Sequence, residues 1–150
     1  MDQLNFPSYD FSIRESGDTK QIFDDIRKKW IVLTPEEWVR QHVVQFLITE
    51  KGYPAGLIAV EKGLKVNNLP KRFDIVLFDQ NAKPLMTVEC KAPKVKIDNS
   101  TLEQALRYNS VLGAKYLLLT NGMDIFCGEI NFSNASFSYL NDIPAYTQKA

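Results

Sequence analysis

Two acidic side chains and one amine near the middle of the chain have the types and spacing that could support chemistry. Asp74 interrupts one apolar run, and Glu89-Cys90-Lys91 closes the next one. A short polar turn between the runs predicts that residues 72–79 and 84–91 form an antiparallel hairpin, with the last residue of the first strand opposite the first residue of the second. In that register Asp74 lies opposite Glu89, where Cβ atoms are roughly 4.5 to 5.5 Å apart and like charges are destabilising unless they are neutralised.

The opposed carboxylates are typical of a site for a hard divalent cation. Two carboxylates, waters and substrate phosphate oxygens make a usual Mg²⁺ shell, and Mn²⁺ prefers similar ligands. The backbone carbonyl of Cys90 is within reach of the same ion. Lys91 projects from the same strand face as Glu89, so its ammonium could stabilise a hydroxide nucleophile or the charge on a phosphoryl group. The alternative is that Asp74 and Glu89 are polar strand-end residues and Lys91 is a surface lysine.

A helix is predicted upstream of the hairpin. Thr34-Pro35-Glu36-Glu37 has Thr34 as N-cap, proline at the first helical position and Glu37 three residues after the cap, which is a capping-box pattern. Apolar residues at helical spacing continue to Leu47, and Gly52 ends the helix. Capping alone explains Glu37, unless its carboxylate turns away from the helix end toward the site.

A second helix is predicted downstream. Ser100 to Glu103 is another capping-box pattern, and the helix runs through about Leu112 before Gly113 ends it. Gln104 and Tyr108 are four residues apart and therefore share one helix face. They would orient a phosphate or the attacking water if this helix packs beside the hairpin amine. Otherwise they form a solvated polar stripe.

Further apolar runs predict strands around the hairpin, at Trp30 to Leu33, Leu57 to Glu61, Tyr116 to Thr120, Met123 to Ile130 and Phe137 to Leu140. A basic polar loop at 62–71 is expected to lead into the hairpin. The order of elements predicts a single α/β domain over residues 1–150, with a central mixed β-sheet flanked by α-helices. Residues 1–20 are expected to be an irregular or short-stranded lead-in, and residues 146–150 a frayed tail.

The charge balance of the chain limits the kinds of partner that are expected. Lys plus Arg and Asp plus Glu both number 18, so no overall field draws nucleic acid or an anionic membrane toward the molecule. Between Glu61 and Ser100, however, there are eight bases against five acids. Within this segment Arg72, Lys94 and Lys96 are candidate contacts to DNA phosphates, although loop lysines are usually only solvated.

Several other classes of site are excluded by the residues present. The two cysteines lie far apart without zinc-ligand spacing, which predicts free thiols in a reducing cytoplasm. No apolar stretch approaches about 18 residues, so neither export nor membrane contact is expected. Glycine-rich phosphate loops, serine or cysteine nucleophile patterns and zinc protease signatures are absent. The lone histidine, His42, is interpreted as structural.

An aspartate followed by Glu-x-Lys across a hairpin resembles the core motif of the PD-(D/E)XK nuclease superfamily, with Asp74, Glu89 and Lys91 at the motif positions. The proline that gives the superfamily its name is Pro70 here, four residues before the aspartate instead of next to it. Gln104-Ala-Leu-Arg-Tyr108 matches the Gln-x-x-x-Tyr element of the exonuclease-like branch.

More narrowly, the stretch from Arg27 to Gln41, with the motif downstream, looks like the N-terminal nuclease-like domain of type I restriction enzyme R subunits. The similarity runs from about Ile22 to Gly128. It implies a restriction-endonuclease-like core that acts on DNA. Full R subunits continue into a DNA-translocating motor, whose glycine-rich loop this sequence lacks. We therefore expect a free-standing relative or a single domain that works with a separate motor or restriction-modification subunit, and a homodimer stays open.

The resemblance also assigns roles to the candidate residues. It implies that Asp74, Glu89 and the Cys90 carbonyl hold Mg²⁺, and that Lys91 assists the nucleophile. Gln104 and Tyr108 then organise the phosphate side of the site. The family has an upstream glutamate on its first helix, for which we choose Glu37 over its neighbour Glu36.

Three functions follow from these patterns, in order of preference. The first is a Mg²⁺-dependent DNA endonuclease or phosphodiesterase. The second is a nuclease-fold module that binds DNA or a protein partner without cutting. The third is a structural domain in which the acids form ion pairs with Lys71 or Arg72.

Overall fold

Nine strands and two α-helices form the part of the chain that the computed structural model describes, residues 1–66 and 68–147. The strands are β1 (Ile13–Ser16), β2 (Thr19–Asp24), β3 (Lys29–Val32), β4 (Ile58–Val66), β5 (Leu69–Phe78), β6 (Pro84–Cys90), β7 (Tyr116–Thr120), β8 (Ile125–Asn131) and β9 (Ser136–Tyr139). The helices are α1 (Pro35–Thr49) and α2 (Asn99–Leu112), and a 3-10 turn, Ala55–Leu57, leads into β4.

The strands form two sheets. Strands β1, β2 and β3 make a small antiparallel sheet, and β4 to β9 pair in chain order as a six-stranded sheet. In the larger sheet β6 and β7 are parallel and the other neighbours are antiparallel. A parallel pair needs a crossover connection, and α2 supplies it between β6 and β7. The predicted α/β fold, a central mixed sheet flanked by helices, is confirmed.

The core lies between α1 and the middle of the large sheet. Val39, Val43 and Leu47 repeat every four residues on α1 and are fully buried, as expected for one face of a helix. They belong to the same apolar cluster as alternate residues of the central strands, among them Ile75, Leu77, Met86, Val88 and Leu118. Val76 and Thr87 are buried as well, so β5 and β6 are covered on both faces, as the apolar runs predicted.

Both helices begin and end near the predicted residues. The Thr34 hydroxyl accepts a hydrogen bond from the Glu37 amide at 3.0 Å, so the predicted N-cap of α1 is confirmed. The predicted start of α2 at Ser100 is wrong by two residues. Asp98 is the N-cap, because its carboxylate accepts from the Thr101 amide at 3.1 Å and a threonine completes the capping box in place of Glu103. Gly113 ends α2 in the left-handed conformation, with φ of 70°, as glycine allows.

The hairpin of β5 and β6 has the predicted register at its centre and a different turn. Ile75 pairs with Val88 and Leu77 with Met86, but a bulge between Leu77 and Phe78 makes Phe78 the partner of Pro84. The predicted closing pair, Asp79 with Pro84, is therefore wrong. The Asp79 carboxylate accepts hydrogen bonds from the backbone amides of Asn81 and Lys83, and this local turn takes Asp79 out of the ladder.

The polar segment before the hairpin was predicted as a loop and is largely strand. Residues 58–66 and 69–78 pair as β4 and β5 in one long antiparallel ribbon, because cross-strand pairing overrides the low strand propensity of lysine. Asn67, within the predicted loop, lies outside the described residues. The lysines of this segment are consequently held in register with the hairpin acids.

The chain ends are partly packed. The lead-in 1–20 contributes β1 and the start of β2, and Leu4 and Phe6 join the main core. At the other end the Tyr146 ring packs against Tyr53 with centroids 5.7 Å apart. The rest of the predicted frayed tail, residues 148–150, lies outside the described residues. No helix in the described ranges is long and apolar enough to cross a bilayer.

Candidate active site at the edge of strands β5 and β6

The two predicted acids lie side by side on adjacent strands. Asp74 lies in β5 and Glu89 in β6, and the register that pairs Ile75 with Val88 brings them together. The Cys90 amide donates a hydrogen bond to Asp74 Oδ2 at 2.7 Å. The predicted pairing of the two hairpin strands is therefore present next to the two acids.

Glu89 is the less satisfied of the two acids. The residue is 8% exposed, and its Oε1 atom is buried without a hydrogen-bond partner among the described residues. Burial, followed by the negative charge of Asp74, raises the pKa of Glu89 to about 7. An ionised carboxylate in such a position needs a compensating cation or hydrogen-bond donor.

A cavity of about 100 Å³ opens in front of Glu89, beneath helix α2. It is lined by Lys71, Glu89, Lys91, Thr101, Gln104, Ala105, Tyr108 and Leu119. Three of the predicted catalytic residues, Lys91, Gln104 and Tyr108, therefore line one pocket together with Glu89. Helix α2 lies beside this part of the sheet because it is the crossover between the parallel central strands β6 and β7.

Lys71 and Thr101 line this pocket although sequence reasoning gave them no place in it. The Lys71 ammonium lies 3.6 Å from Glu89 Oε1 and 4.8 Å from the centroid of the Tyr108 ring. Lys71 was assigned to a loop, and simple strand alternation would place it on the face opposite to Asp74, so its spacing gave no signal that it lies beside the acids.

Arg40 of α1 binds the other side of Asp74. Its Nη1 atom donates to Asp74 Oδ1 at 3.1 Å and lies 3.1 Å from Glu61 Oε1. Glu61 has a left-handed backbone conformation, with φ of 54°. It lies where the pairing of β4 with β5 skips one pair, between Val60–Ile75 and Lys62–Phe73, so that Asp74 has no paired residue in β4. Such strain in a non-glycine residue persists only when its surroundings hold it. Three elements thus converge on one buried guanidinium.

Glu37 belongs to this arginine cluster. Nε and Nη2 of Arg40 donate to its two oxygens at 3.1 and 2.7 Å, and Arg27 and Gln41 donate to the same carboxylate. Burial alone would raise the pKa of Glu37, but the hydrogen bonds and charge of Arg40 outweigh it and hold the pKa below its ordinary value. The carboxylate has turned away from the helix end, and its charge is already compensated.

Glu36, the neighbour that was not chosen, is the glutamate whose charge is coupled to the acids. Burial and then the Asp74 carboxylate raise the pKa of Glu36, while Arg40 and Lys91 oppose that rise. Of the two glutamates, Glu36 is the one whose charge interacts with the predicted acids, whereas Glu37 is hydrogen-bonded to Arg27 and Arg40. The choice of Glu37 as the upstream glutamate stays a prediction, because position in a capping box does not distinguish two adjacent glutamates.

The bases proposed to contact DNA are on the surface. The Arg72 side chain is 76% exposed and pairs with Glu61 at 3.1 Å, so it is not an ion-pair partner of the two acids. Lys94 and Lys96 are exposed in the connection between β6 and α2. Of the two ion pairs in the structural interpretation, the one from Lys71 to Glu89 is present and the one from Arg72 involves Glu61 instead.

Cys90 and His42 have structural surroundings. The Cys90 thiol is buried in the main core, and burial raises its pKa well above the ordinary value. His42 Nδ1 lies 2.8 Å from the Trp38 carbonyl oxygen, and its ring packs against Trp38 and Phe11. The interpretation of His42 as structural agrees with this packing.

The donor set fits a divalent cation of the Mg²⁺ type. Within residues 1–66 and 68–147 no three His, Cys, Asp or Glu side chains form a metal-binding cluster. A magnesium shell, however, is commonly built from one or two carboxylates with waters and substrate oxygens. Asp74 and Glu89 could provide the carboxylates of such a shell, and the unpartnered Oε1 of Glu89 is an atom that a cation would satisfy.

Comparison with known proteins agrees with this architecture. A solved chain described as an HsdR subunit fragment of a type I restriction enzyme from Vibrio vulnificus YJ016 aligns with a TM-score of 0.53 and 21% identity. The alignment covers 75% of this chain and 24% of that chain, so the protein spans about a quarter of its structural relative. At this identity the likeness shows the fold, and the predicted restriction-endonuclease-like core is confirmed.

The sequence itself identifies the family. No curated protein matches the chain. The family model described as "Type I restriction enzyme R protein N terminus" matches residues 35–144, which include α1, the β5–β6 hairpin and α2. This chain therefore belongs to the family of type I restriction enzyme R protein N-terminal domains.

Proposed function

We propose that this chain is a metal-dependent DNA endonuclease module that hydrolyses phosphodiester bonds. The observation that supports it most is the buried Oε1 of Glu89, which lacks a hydrogen-bond partner in the described ranges and lies beside Asp74 in a pocket with two amines. A site of this kind is costly for the fold, and functional sites are where such costs concentrate.

The residues of the pocket divide the work of the reaction. Asp74, Glu89 and the Cys90 carbonyl would hold Mg²⁺, or Mn²⁺ in its place. The bound cation would lower the pKa of a coordinated water and polarise the phosphoryl oxygens. Lys91 donates toward the attacking oxygen or the charge that develops on the phosphate. The upstream glutamate of α1 would be Glu37 or its neighbour Glu36, whose carboxyl interacts electrostatically with Asp74 and Lys91.

Helix α2 supplies the phosphate side of the site. Gln104 and Tyr108, one turn apart, would orient the scissile phosphate over Glu89 and Lys91 by hydrogen bonding. Arg40 fixes the rotamer of Asp74 through its contact with Oδ1, so the ligand oxygen is positioned before substrate arrives. The exposed bases Lys94, Lys96 and Arg72 would contact the DNA backbone without reading its sequence.

The partners proposed for the module follow from its family. DNA is the substrate, and a DNA-translocating motor or another restriction-modification subunit is the natural associate in the cytoplasm. A homodimer would let two such sites cut opposite strands.

A second candidate function has its own observation. Arg40 binds Asp74 and Lys71 lies near Glu89, so protein cations compensate both acids. A catalytically silent module that binds DNA or a protein partner would keep these pairs and never exchange them for a metal.

One cleavage experiment separates the two candidates. The protein is incubated with Mg²⁺ or Mn²⁺ and linear, circular, single-stranded or methylated DNA, beside Asp74→Ala, Lys91→Ala and Lys83→Ala variants. Lys83 is an exposed lysine at the far end of the same hairpin and serves as the matched control. We expect cleavage by the wild type and Lys83→Ala, and a loss of at least about a hundredfold in the other two. Binding without cleavage would favour the silent module, and cleavage that survives Asp74→Ala would reject the proposed site.

A further inference from the structure

Lys71 contacts more of the pocket than its place in the sequence suggests. It lies in β5, and its ammonium is 3.6 Å from Glu89 Oε1, 4.8 Å from the Tyr108 ring centroid and 5.8 Å from the Phe73 ring centroid. Its side chain is 25% exposed, so it is neither buried in the core nor free in solvent. The amine is held between an acid and two aromatic faces, which attract cations.

The pairing of Lys71 with Glu89 is loose. A distance of 3.6 Å is within ion-pair range but too long for a hydrogen bond, and Glu89 Oε1 has no hydrogen-bond partner in the described ranges. Lys71 therefore compensates the charge of Glu89 without satisfying its oxygen. Arg40, in contrast, donates to Glu37 Oε1 at 2.7 Å. A lysine on a flexible stem can leave such a pair more easily than a forked arginine can.

The pocket around Lys71 is rich in donors. Lys91, Thr101, Gln104 and Tyr108 line it with Lys71, and each carries at least one N–H or O–H group. The cavity volume of about 100 Å³ corresponds to roughly three water molecules, which is room for one phosphate group. Glu89 is the only acid that lines this pocket within the described residues, so the pocket favours an anion once that acid is engaged elsewhere.

We propose that Lys71 is a phosphate contact that serves as the counter-ion of Glu89 until a divalent cation takes that role. With the cation bound to the acids, the Lys71 ammonium turns to the DNA phosphate that Gln104 and Tyr108 hold. This rests on the proposed function of the site. It assigns to Lys71 a role distinct from that of Lys91, since Lys71 competes with the metal for Glu89 and also helps to bind the substrate.

The two roles predict effects of opposite sign. Without DNA, Lys71→Gln should bind Mn²⁺ about threefold to tenfold more tightly than the wild type, because a competing cation is gone. With Ca²⁺ in place of Mg²⁺, the same variant should bind DNA about tenfold more weakly, because a charged phosphate contact is lost. Lys71→Arg should restore DNA binding and return Mn²⁺ affinity toward the wild-type value.

Isothermal titration with Mn²⁺ and fluorescence anisotropy with labelled duplex DNA measure the two effects, and neither requires cleavage. Lys83→Ala is the control and should leave both affinities within twofold, while thermal unfolding of each variant shows that it is folded. Unchanged or weaker Mn²⁺ binding by Lys71→Gln would overturn the counter-ion role, and unchanged DNA affinity would overturn the phosphate contact. Failure of the proposed nuclease function would appear separately, as absence of cleavage by the wild type that binds Mn²⁺ and DNA.

Discussion

The arginine cluster around Arg40 and the pocket around Glu89 lie on either side of Asp74, and they differ in whether their buried carboxylates are hydrogen-bonded. In the arginine cluster each oxygen of Glu37 and Asp24 accepts at least two hydrogen bonds, from Arg27, Arg40, Gln41 or a backbone amide. In the pocket, Glu89 Oε1 has no such partner among the described residues.

The difference lies in how completely each region satisfies its charged groups. The arginine cluster joins the small sheet, through Asp24 at the end of β2, to α1 and to Asp74 of β5, so its charges fasten elements together. The pocket places Glu89 and two amines around a cavity, with Lys71 within ion-pair distance of Glu89 but not hydrogen-bonded to it. Satisfied networks specify a fold, whereas an unsatisfied buried acid next to a cavity indicates a ligand.

The largest effect on stability should come from removing Arg40 from the arginine cluster. Arg40→Met leaves the buried carboxylate of Glu37 and the half-buried carboxylate of Asp74 without their main cation, which should lower the free energy of unfolding by about 3 to 5 kcal/mol. Urea unfolding monitored by circular dichroism measures the loss. Arg72→Met is the matched control, because Arg72 also pairs with Glu61 but is 76% exposed, and it should change stability by less than about 1 kcal/mol. Equal losses of unfolding free energy in the two variants would contradict the structural role assigned to the arginine cluster.

The pH dependence of stability should distinguish the two regions by sign. Glu89 has a pKa raised from 4.5 to about 7, so between these values the folded state keeps a proton that the unfolded state has lost. In metal-free protein, Glu89 should therefore lower the free energy of unfolding by up to roughly 3 kcal/mol as the pH rises from about 4.5 to 7. Asp74, Lys71 and Lys91 are the charged groups that act on it.

At each pH, the unfolding free energy of Glu89→Gln is subtracted from that of the wild type. The difference isolates the contribution of Glu89, since the variant lacks the titrating group. Asp24 and Glu37 act in the opposite sense, because their pKa values are lowered and the stability they provide is lost as the pH falls below the ordinary carboxyl range. If the difference in unfolding free energy between wild type and Glu89→Gln stays constant from pH 4.5 to 7, the fold does not raise the pKa of Glu89.

The two adjacent glutamates of α1 give a smaller, sharper comparison. Glu37→Gln should cost about 1 to 3 kcal/mol of unfolding free energy, because Arg40 and Arg27 lose a charged acceptor. Glu36→Gln should change stability by less than about 1 kcal/mol but reduce cleavage, because its charge acts on Asp74 and Lys91. Denaturation and cleavage assays on both variants test this. A Glu37→Gln protein that is fully stable and inactive would instead support Glu37 as the upstream glutamate of the site.

The smallest effects are expected from the exposed bases. Lys94→Ala and Lys96→Ala should each weaken DNA binding uniformly across sequences and reduce the slope of log affinity against log salt by about 1. The catalytic rate constant at saturating DNA should not change, since neither side chain lines the pocket. Anisotropy titrations at several salt concentrations measure the slope, and an unchanged slope would show that these lysines are only solvated.

The sequence carried enough information to predict the hairpin and two of its pocket residues, Glu89 and Lys91. Apolar runs of the right length fixed the register of Ile75 with Val88, and alternation then placed Asp74 beside Glu89. The spacing of Gln104 and Tyr108 placed both on one face of α2. These features depend on local periodicity, which a single sequence records well.

The remaining parts of the site depend on contacts that are distant in the chain. Lys71 was assigned to a loop because lysines and a proline disfavour a strand, yet pairing with β4 overrides that preference. The hydrogen bonds to Glu37 come from Arg27 and Arg40, which meet only when the small sheet packs beside α1. Periodicity does not record such charge pairing between elements.

The most direct test of the account is the location of Mn²⁺ in crystals of the protein, found from anomalous diffraction at the manganese absorption edge. We predict a single anomalous peak between the carboxylates of Asp74 and Glu89, within bonding distance of the Cys90 carbonyl oxygen, with the Lys71 ammonium moved away from Glu89. Crystals saturated with Mn²⁺ that show no peak there, and that keep Lys71 against Glu89, would contradict the proposal that these acids form a metal-dependent nuclease site.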